Sequence, residues 1–401
     1  MLKSLSLLSK PTIGVTLLLT LSGCFQTPST VKNTTVVTTA VDGSKVVVPE
    51  GKTLLFMGQD SDTIAAYQHA IPQDDLEGVT LYTQIKSADP NKTFFGLRET
   101  GNWGSGDVNI HNTLNSAPDA ALAIGLAFDS CNDVHHGQRI ANGEYDKSID
   151  YLAEQLKAMA PRPVFLRIGY EFDGPWNCYQ KDTFKQAYTR IATKIRAAGA
   201  WNVLNVWHSA TWPDPNIAAQ RVNDYDHRHP AHLSSWYPGD DIVDWMGLSV
   251  FYRDLHQWEQ APVDTPARAQ DAFVTFARDH NKFVMIAEAA PQAYRIGALK
   301  RAFITHNRQQ NVSAFEIWNK WYSPVFQFIE NNKDVIKALA YINTHWESQP
   351  LWRCDEDKRA GDPECPQGFW GDSRVQANTE IQQQWLNEIH NEQKWVQGKW
   401  W

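Results

Sequence analysis

Two glutamates in this chain stand where an apolar run gives out. In PVFLRIGYEFDGPWN, residues 163–177, an alternating apolar stretch delivers Glu171 between Tyr170 and Phe172, with Asp173, Gly174 and Trp176 just beyond. In Phe283-Val284-Met285-Ile286-Ala287-Glu288-Ala289 the same happens to Glu288. Two carboxyls across one cleft can divide the cutting of a glycosidic bond. One protonates the leaving oxygen, and the other attacks the anomeric carbon or activates a water that does. The acid must hold its proton near neutral pH, so its surroundings must penalise the charged form. Tyr170, Phe172 and Trp176 supply such surroundings for Glu171. Glu288 needs hydrogen-bond donors to stay ionised. A lone carboxylate at a strand end is more often a helix cap or a surface ion pair; it is the pair, beside aromatics, that points to catalysis.

The elements around them must bring two distant positions together. Apolar strands are expected at 53–57, 79–84, 121–128, 164–170, 203–208, 242–250, 283–288 and 313–318. Stretches 145–159, 182–198, 265–279, 295–306 and 326–345 carry apolar residues at spacings of three and four, which predicts helices. Strands alternating with helices imply parallel pairing and right-handed crossovers. Eight such units make a (β/α)8 TIM barrel, an α/β fold whose active site lies at the C-terminal ends of its strands. Glu171 then ends the fourth strand and Glu288 the seventh. A doubly wound sheet is the rival. It is weakened because Met57-Gly58-Gln59-Asp60 stands where a GxGxxG turn would follow the first strand. The barrel is expected over 51–346, with 347–401 a C-terminal extension packed on it.

Residues 1–24 read as a leader. Lys3 and Lys10 precede an apolar stretch at 13–21, and Leu21-Ser22-Gly23-Cys24 resembles a bacterial lipobox with Cys24 as the lipidated residue. This predicts an exported lipoprotein on the outer membrane or cell surface, tethered by a linker over 25–50. Four cysteines remain, Cys131, Cys178, Cys354 and Cys365, an even number that fits two disulfides in an exported protein. Spacing favours Cys354 with Cys365. In a barrel, Cys131 and Cys178 lie just past adjacent strands at one face, within reach of a bridge. The net charge of −8 argues against a nucleic-acid partner, and 17 tryptophans offer flat faces for stacking.

Arg-Ile-Gly-Tyr-Glu-Phe-Asp-Gly-Pro-Trp, residues 167–176, resembles the acid/base segment of glycoside hydrolase family 26, closest to its β-1,3-xylanase-like branch. Met57-Gly58-Gln59-Asp60, Trp236-Tyr237-Pro238-Gly239-Asp240, Asp244-Trp245-Met246-Gly247-Leu248-Ser249 and Ile286-Ala287-Glu288 fit in order, and the resemblance spans roughly 53–345. The mannanase branch usually has a histidine before the acid glutamate; Tyr170 here points away from mannan. The resemblance implies Glu171 as acid/base and Glu288 as nucleophile in a retaining mechanism. It also implies Tyr252 hydrogen-bonded to the nucleophile and Trp318, ending the eighth strand, as the floor under the sugar. Trp207 or His208, ending the fifth strand, reaches the sugar. Leu204 and Val206 suit the helix-facing side, which favours Trp207 inward; a bulge would bring in His208 instead. Trp103, Trp212, Trp236 and Trp321 are further stacking candidates in loops, each as apt for packing as for sugar contact. Arg167 shares parity with Glu171 and is expected to pair with Glu316, or another interior carboxylate, beneath the site.

A metal-dependent hydrolase would need clustered ligands at strand ends. His135-His136 lies in a loop, and His227, His229 and His232 form a small cluster before the sixth strand, but no HxH sits on the first strand, so no catalytic metal is expected and a structural cation is left open. A non-catalytic surface protein that grips polysaccharide is the reading from another class. Retention of both carboxyls favours an endo-acting β-glycosidase without cofactor, working as a monomer on a polysaccharide. The β-1,3-xylanase-like substrate is preferred over β-mannan, β-glucan or an algal galactan.

Overall fold

The computed structural model describes residues 35–39, 45–212, 226–254 and 264–401. Cys24 and the rest of residues 1–24, read from the sequence as a leader, lie outside them. Eight parallel strands close into a barrel: β1 (Leu54–Gly58), β2 (Gly78–Ile85), β3 (Ala121–Phe128), β4 (Val164–Ile168), β5 (Val203–Ser209), β6 (Trp245–Val250), β7 (Phe283–Ala289) and β8 (Ile336–Ile342). β8 closes against β1 with Ala338 opposite Leu54 and Ile342 opposite Gly58. β1, β4, β5, β6 and β8 are buried at every position, because side chains fill the barrel on one face and helices cover the other.

The lower barrel is packed with Phe56, Phe165, Leu204, Val206, Trp245, Met285 and alanines from β3, β7 and β8. Phe165 meets Phe56 and Trp245 edge-on, at 5.4 and 5.0 Å between ring centres. Val396, Trp400 and Trp401 close this end from the chain's last residues. Within the segment read as a linker, Thr35–Thr39 and Lys45–Pro49 pair antiparallel, and Val48 joins the same apolar cluster.

Seven strands fall where the sequence placed them; the eighth does not. Residues 313–318 are helical: Ser313 caps helix Ala314–Ile317, its hydroxyl accepting from Glu316 N at 3.1 Å. The expected helix over 326–345 is helix Ser323–Asn331 followed by β8. The expected helix over 295–306 is a small sheet instead, with Tyr294–Arg295, Lys300–Phe303 and His306–Asn311 joined by Gly371–Asp372 from the C-terminal extension. Among the described residues no helix is long and apolar enough to cross a membrane.

Disulfides join Cys131 to Cys178 and Cys354 to Cys365. The first links the loops after β3 and β4, and the second closes a loop in the C-terminal extension.

Candidate active site

The upper mouth of the barrel opens into a cleft of about 580 Å³ lined by both Glu171 and Glu288. Glu171 stands three residues past β4 in left-handed backbone, φ 50°, and Gly169 before it has φ 55°. A side chain at Gly169 would collide with Phe184 at 2.6 Å, so the turn that aims Glu171 requires glycine there. A left-handed glutamate costs on the order of 1–3 kcal/mol and persists only where neighbours enforce it. Here Phe172 N donates to His208 O at 3.0 Å, and Asn177 Nδ2 donates to the carbonyls of Tyr170 and Glu171, each at 3.0 Å.

The two carboxyls sit in opposed environments. Ser249 Oγ donates to Glu171 Oε1 at 2.7 Å and Trp176 Nε1 to Oε2 at 2.8 Å. Burial and the charge of Glu288 outweigh these bonds and push Glu171 up to about 8. Glu288 instead receives Arg167 Nη1 at 2.7 Å and Tyr82 Oη at 2.8 Å, both on Oε1. Burial and the adjoining Glu288 charge push the Tyr82 hydroxyl well up, so it stays protonated as a donor. Gly125 on β3 leaves the space this requires: a Cβ there would lie 2.7 Å from the Tyr82 ring and 3.1 Å from Arg167 Nη2.

Arg167 is fully buried and faces the barrel interior as expected, and the interior carboxylate it pairs with is Glu288 rather than Glu316. Glu316 lies outside the barrel in helix Ala314–Ile317, 3.8 Å from Arg301, because the segment carrying it is not a strand. On β5 the expected parity is reversed. Leu204 and Val206 fill the barrel, so His208 points inward, its Nε2 3.0 Å from Ser249 Oγ. Trp207 faces the helices and stacks on Phe172 and Phe273. The lower barrel is as apolar as the helix side, so hydrophobicity alone could not orient this strand. Burial and the Arg167 charge hold His208 neutral, far below the usual imidazole range.

Tyr170, Trp176, Trp103 and Trp212 all line the cleft. Tyr170 meets the Tyr82 ring edge-on at 5.4 Å, and Trp176 meets Trp212 at 5.9 Å. Besides Trp207 and His208, neither of which lines it, four other candidates stand away from the cleft. Trp236 is buried on the helix side against Phe172 and Phe184. Trp321 is buried, its Nε1 donating to Phe251 O at 2.7 Å. Trp318 is half-buried in the helical turn Trp318–Tyr322 and stacks on Tyr322, since it lies in no strand. Tyr252 is buried edge-on to Trp212, and the tyrosine hydroxyl on Glu288 belongs to Tyr82.

Sequence reasoning missed Tyr82, Ser249 and an aromatic wall from beyond β8. Trp346, Trp352 and Trp370 line the cleft with ring centres 4.4–5.2 Å apart. Tyr82 and Ser249 had a signal, the inward parity of β2 and β6, but they lie below the strand ends. Trp346 follows the true eighth strand and was hidden by the displaced one.

Comparison with known proteins supplies the context. No family model matches the chain. A β-1,3-xylanase from an Alcaligenes species is 34% identical over 358 residues, 88% of this chain and 66% of that protein. A β-1,3-xylanase from a Vibrio species is 34% identical over 354 residues, 87% of this chain and 67% of that protein. The chain thus spans about two thirds of the length of the relatives it matches. In fold it is similar to a family 26 β-mannanase from Bacteroides ovatus, with a TM-score of 0.52, 12% identity and coverage of 86% of this chain and 90% of that one. It is also similar to an endo-β-1,4-mannanase double mutant from Cellulomonas fimi, with a TM-score of 0.51, 13% identity and coverage of 88% and 72%.

Proposed function

Because the chain belongs to the β-1,3-xylanase branch of glycoside hydrolase family 26, we propose that it is an endo-acting hydrolase of β-1,3-xylan, with Glu171 as acid/base and Glu288 as nucleophile. The observation that carries this reading is the contrast between two buried carboxyls in one cleft. Glu171, pushed up to about 8, holds a proton at neutral pH to give to the glycosidic oxygen. Arg167 Nη1 and Tyr82 Oη both donate to Glu288 Oε1 and hold the carboxyl in place for attack on the anomeric carbon. The leaving sugar departs with the proton of Glu171. Glu171, now ionised, takes a proton from water, whose oxygen displaces Glu288 from the anomeric carbon and restores both groups. Tyr170, Trp103, Trp176 and Trp212, with Trp352 and Trp370, which the buried Trp346 backs, offer apolar faces to successive sugar rings.

The test uses β-1,3-xylan beside β-1,4-xylan, β-mannan, mixed-linkage β-glucan and algal galactans, with products sized and their first-formed anomer read by NMR. Cleavage of β-1,3-xylan with retained configuration, lost in both Glu171→Ala and Glu288→Ala, is expected. Cleavage that survives both substitutions would refute the assignment, and cleavage of another polymer alone would refute the substrate. The lipobox-like Leu21-Ser22-Gly23-Cys24 supports export and lipidation at Cys24. Lipid labelling of the expressed full chain, abolished by Cys24→Ala, is the corresponding check.

A further inference from the structure

Two residues beyond Glu171, behind the wall of the cleft, Asp173 meets two histidines from the segment that precedes β6. Asp173 Oδ2 lies 3.0 Å from His232 Nε2 and 3.7 Å from His227 Nε2. One donor atom from each of the three lies within 4.8 Å of the others, and all three side chains are buried. The carboxylate is already aimed: Ser209 Oγ donates to Oδ2 and Ala210 N to Oδ1, each at 2.7 Å. None of the three ligand candidates lines the cleft, and the mechanism uses none of them.

As hydrogen-bonded side chains alone, the group is incomplete. His227 Nε2 has no hydrogen-bond partner although it is buried and directed at Asp173. A polar atom removed from water without a partner is costly. A carboxylate with two imidazole nitrogens is a donor set suited to zinc. Four-coordinate zinc with bonds of about 2.0–2.1 Å spaces its donor atoms roughly 3.4 Å apart. The observed 3.0 and 3.7 Å fall on either side of that spacing.

We propose that Asp173, His227 and His232 bind one zinc ion, with water in the fourth place. Buried behind the cleft, the ion is structural. It ties the turn that carries Glu171, which Asp173 already anchors to the end of β5, to the segment leading into and starting helix His232–Trp236. Its donors come from two segments separated in sequence, so it cross-links them as a disulfide would.

The experiment strips the full chain with a chelator, desalts it and titrates it with zinc chloride against a chromophoric competitor. Cobalt(II) serves as a spectroscopic substitute. The wild type is expected to take up one zinc with a dissociation constant of about 1 µM or tighter, and to gain a few degrees in Tm when zinc is restored. With cobalt it should show the visible bands of four-coordinate geometry. His227→Gln and Asp173→Asn, checked for folding by circular dichroism, are each expected to lose uptake and bands together. No uptake by the wild type would overturn the site, and so would uptake unchanged by His227→Gln, which would place the metal on surface histidines.

Discussion

At Glu171, burial and repulsion from Glu288 win over two hydrogen bonds, and the carboxyl titrates at about 8. Only the protonated form can act as acid, so kcat/KM is expected to stay level toward that pH and fall about tenfold per unit above it. Ser249 Oγ donates to Glu171 and favours its charged form. Ser249→Ala should therefore move the alkaline limb upward, by roughly one unit for a hydrogen bond to a charged group. A pH–rate profile measures this, and a limb that stays put or moves down would mean another group sets it. At Glu288 the support is Tyr82 and Arg167, both on Oε1. Tyr82→Phe removes one donor and leaves the guanidinium. It should lower kcat roughly 10²-fold with little change in KM, which steady-state kinetics on β-1,3-xylan checks. An equal loss in KM alone would place Tyr82 in sugar binding.

Elements decide how accurately those side chains are held. The Cys131–Cys178 bridge spans 47 residues and ties the Glu171 turn to the loop after β3; Cys131 Sγ also lies 3.1 Å from Trp176 O. Loop-closure entropy for that span is about 4 kcal/mol, against roughly 3 kcal/mol for the 11-residue span of Cys354–Cys365. Replacing Cys131 and Cys178 by serine should cost about 2–4 kcal/mol in chemical denaturation and also reduce kcat, since Trp176 holds Glu171. Full activity in that variant would show that the turn holds its shape unaided. The same elements show what could be read from sequence. Strands ending in Glu171 and Glu288 were legible because polar loops and amphipathic helices bound them. β8 was not, because Ile336-Lys337-Ala338-Leu339-Ala340-Tyr341-Ile342 is buried on both faces. Its apolar residues then also fit a helical spacing, so period could not separate the two. The helix at 314–317 did announce itself: Ser313 stands three residues before Glu316, the spacing of a capping box. The inward turn of His208 was illegible for a related reason, since the apolar lower barrel made both faces of β5 look alike.

Over the whole molecule the two ends of the barrel are finished differently, the upper left open as a cleft and the lower closed by the chain's last residues. Thr53 N donates to Lys394 O and Val396 N to Thr53 O, so the tail runs beside the start of β1. Trp400 Nε1 donates to Glu77 O and Gly398 N to Glu77 Oε1. Glu77, just ahead of β2, is 3% exposed, and burial with the nearby Asp74 charge pushes it up to about 8. A carboxyl raised in the folded state binds more protons folded than unfolded between about pH 4.5 and 8. Stability therefore falls as pH rises through that window, and the clasp is most secure below it. Glu77→Gln keeps an acceptor for Gly398 and removes the charge. The variant and wild type should unfold alike near pH 4.5. The variant should then gain steadily, by on the order of a few kcal/mol at pH 8 and above. Glu171 titrates in the same window in both proteins, so the difference between their melting curves isolates Glu77. A difference that does not widen with pH would mean the charged carboxylate is solvated at the base of the barrel, and that the tail lies looser over it than its hydrogen bonds to Glu77 indicate.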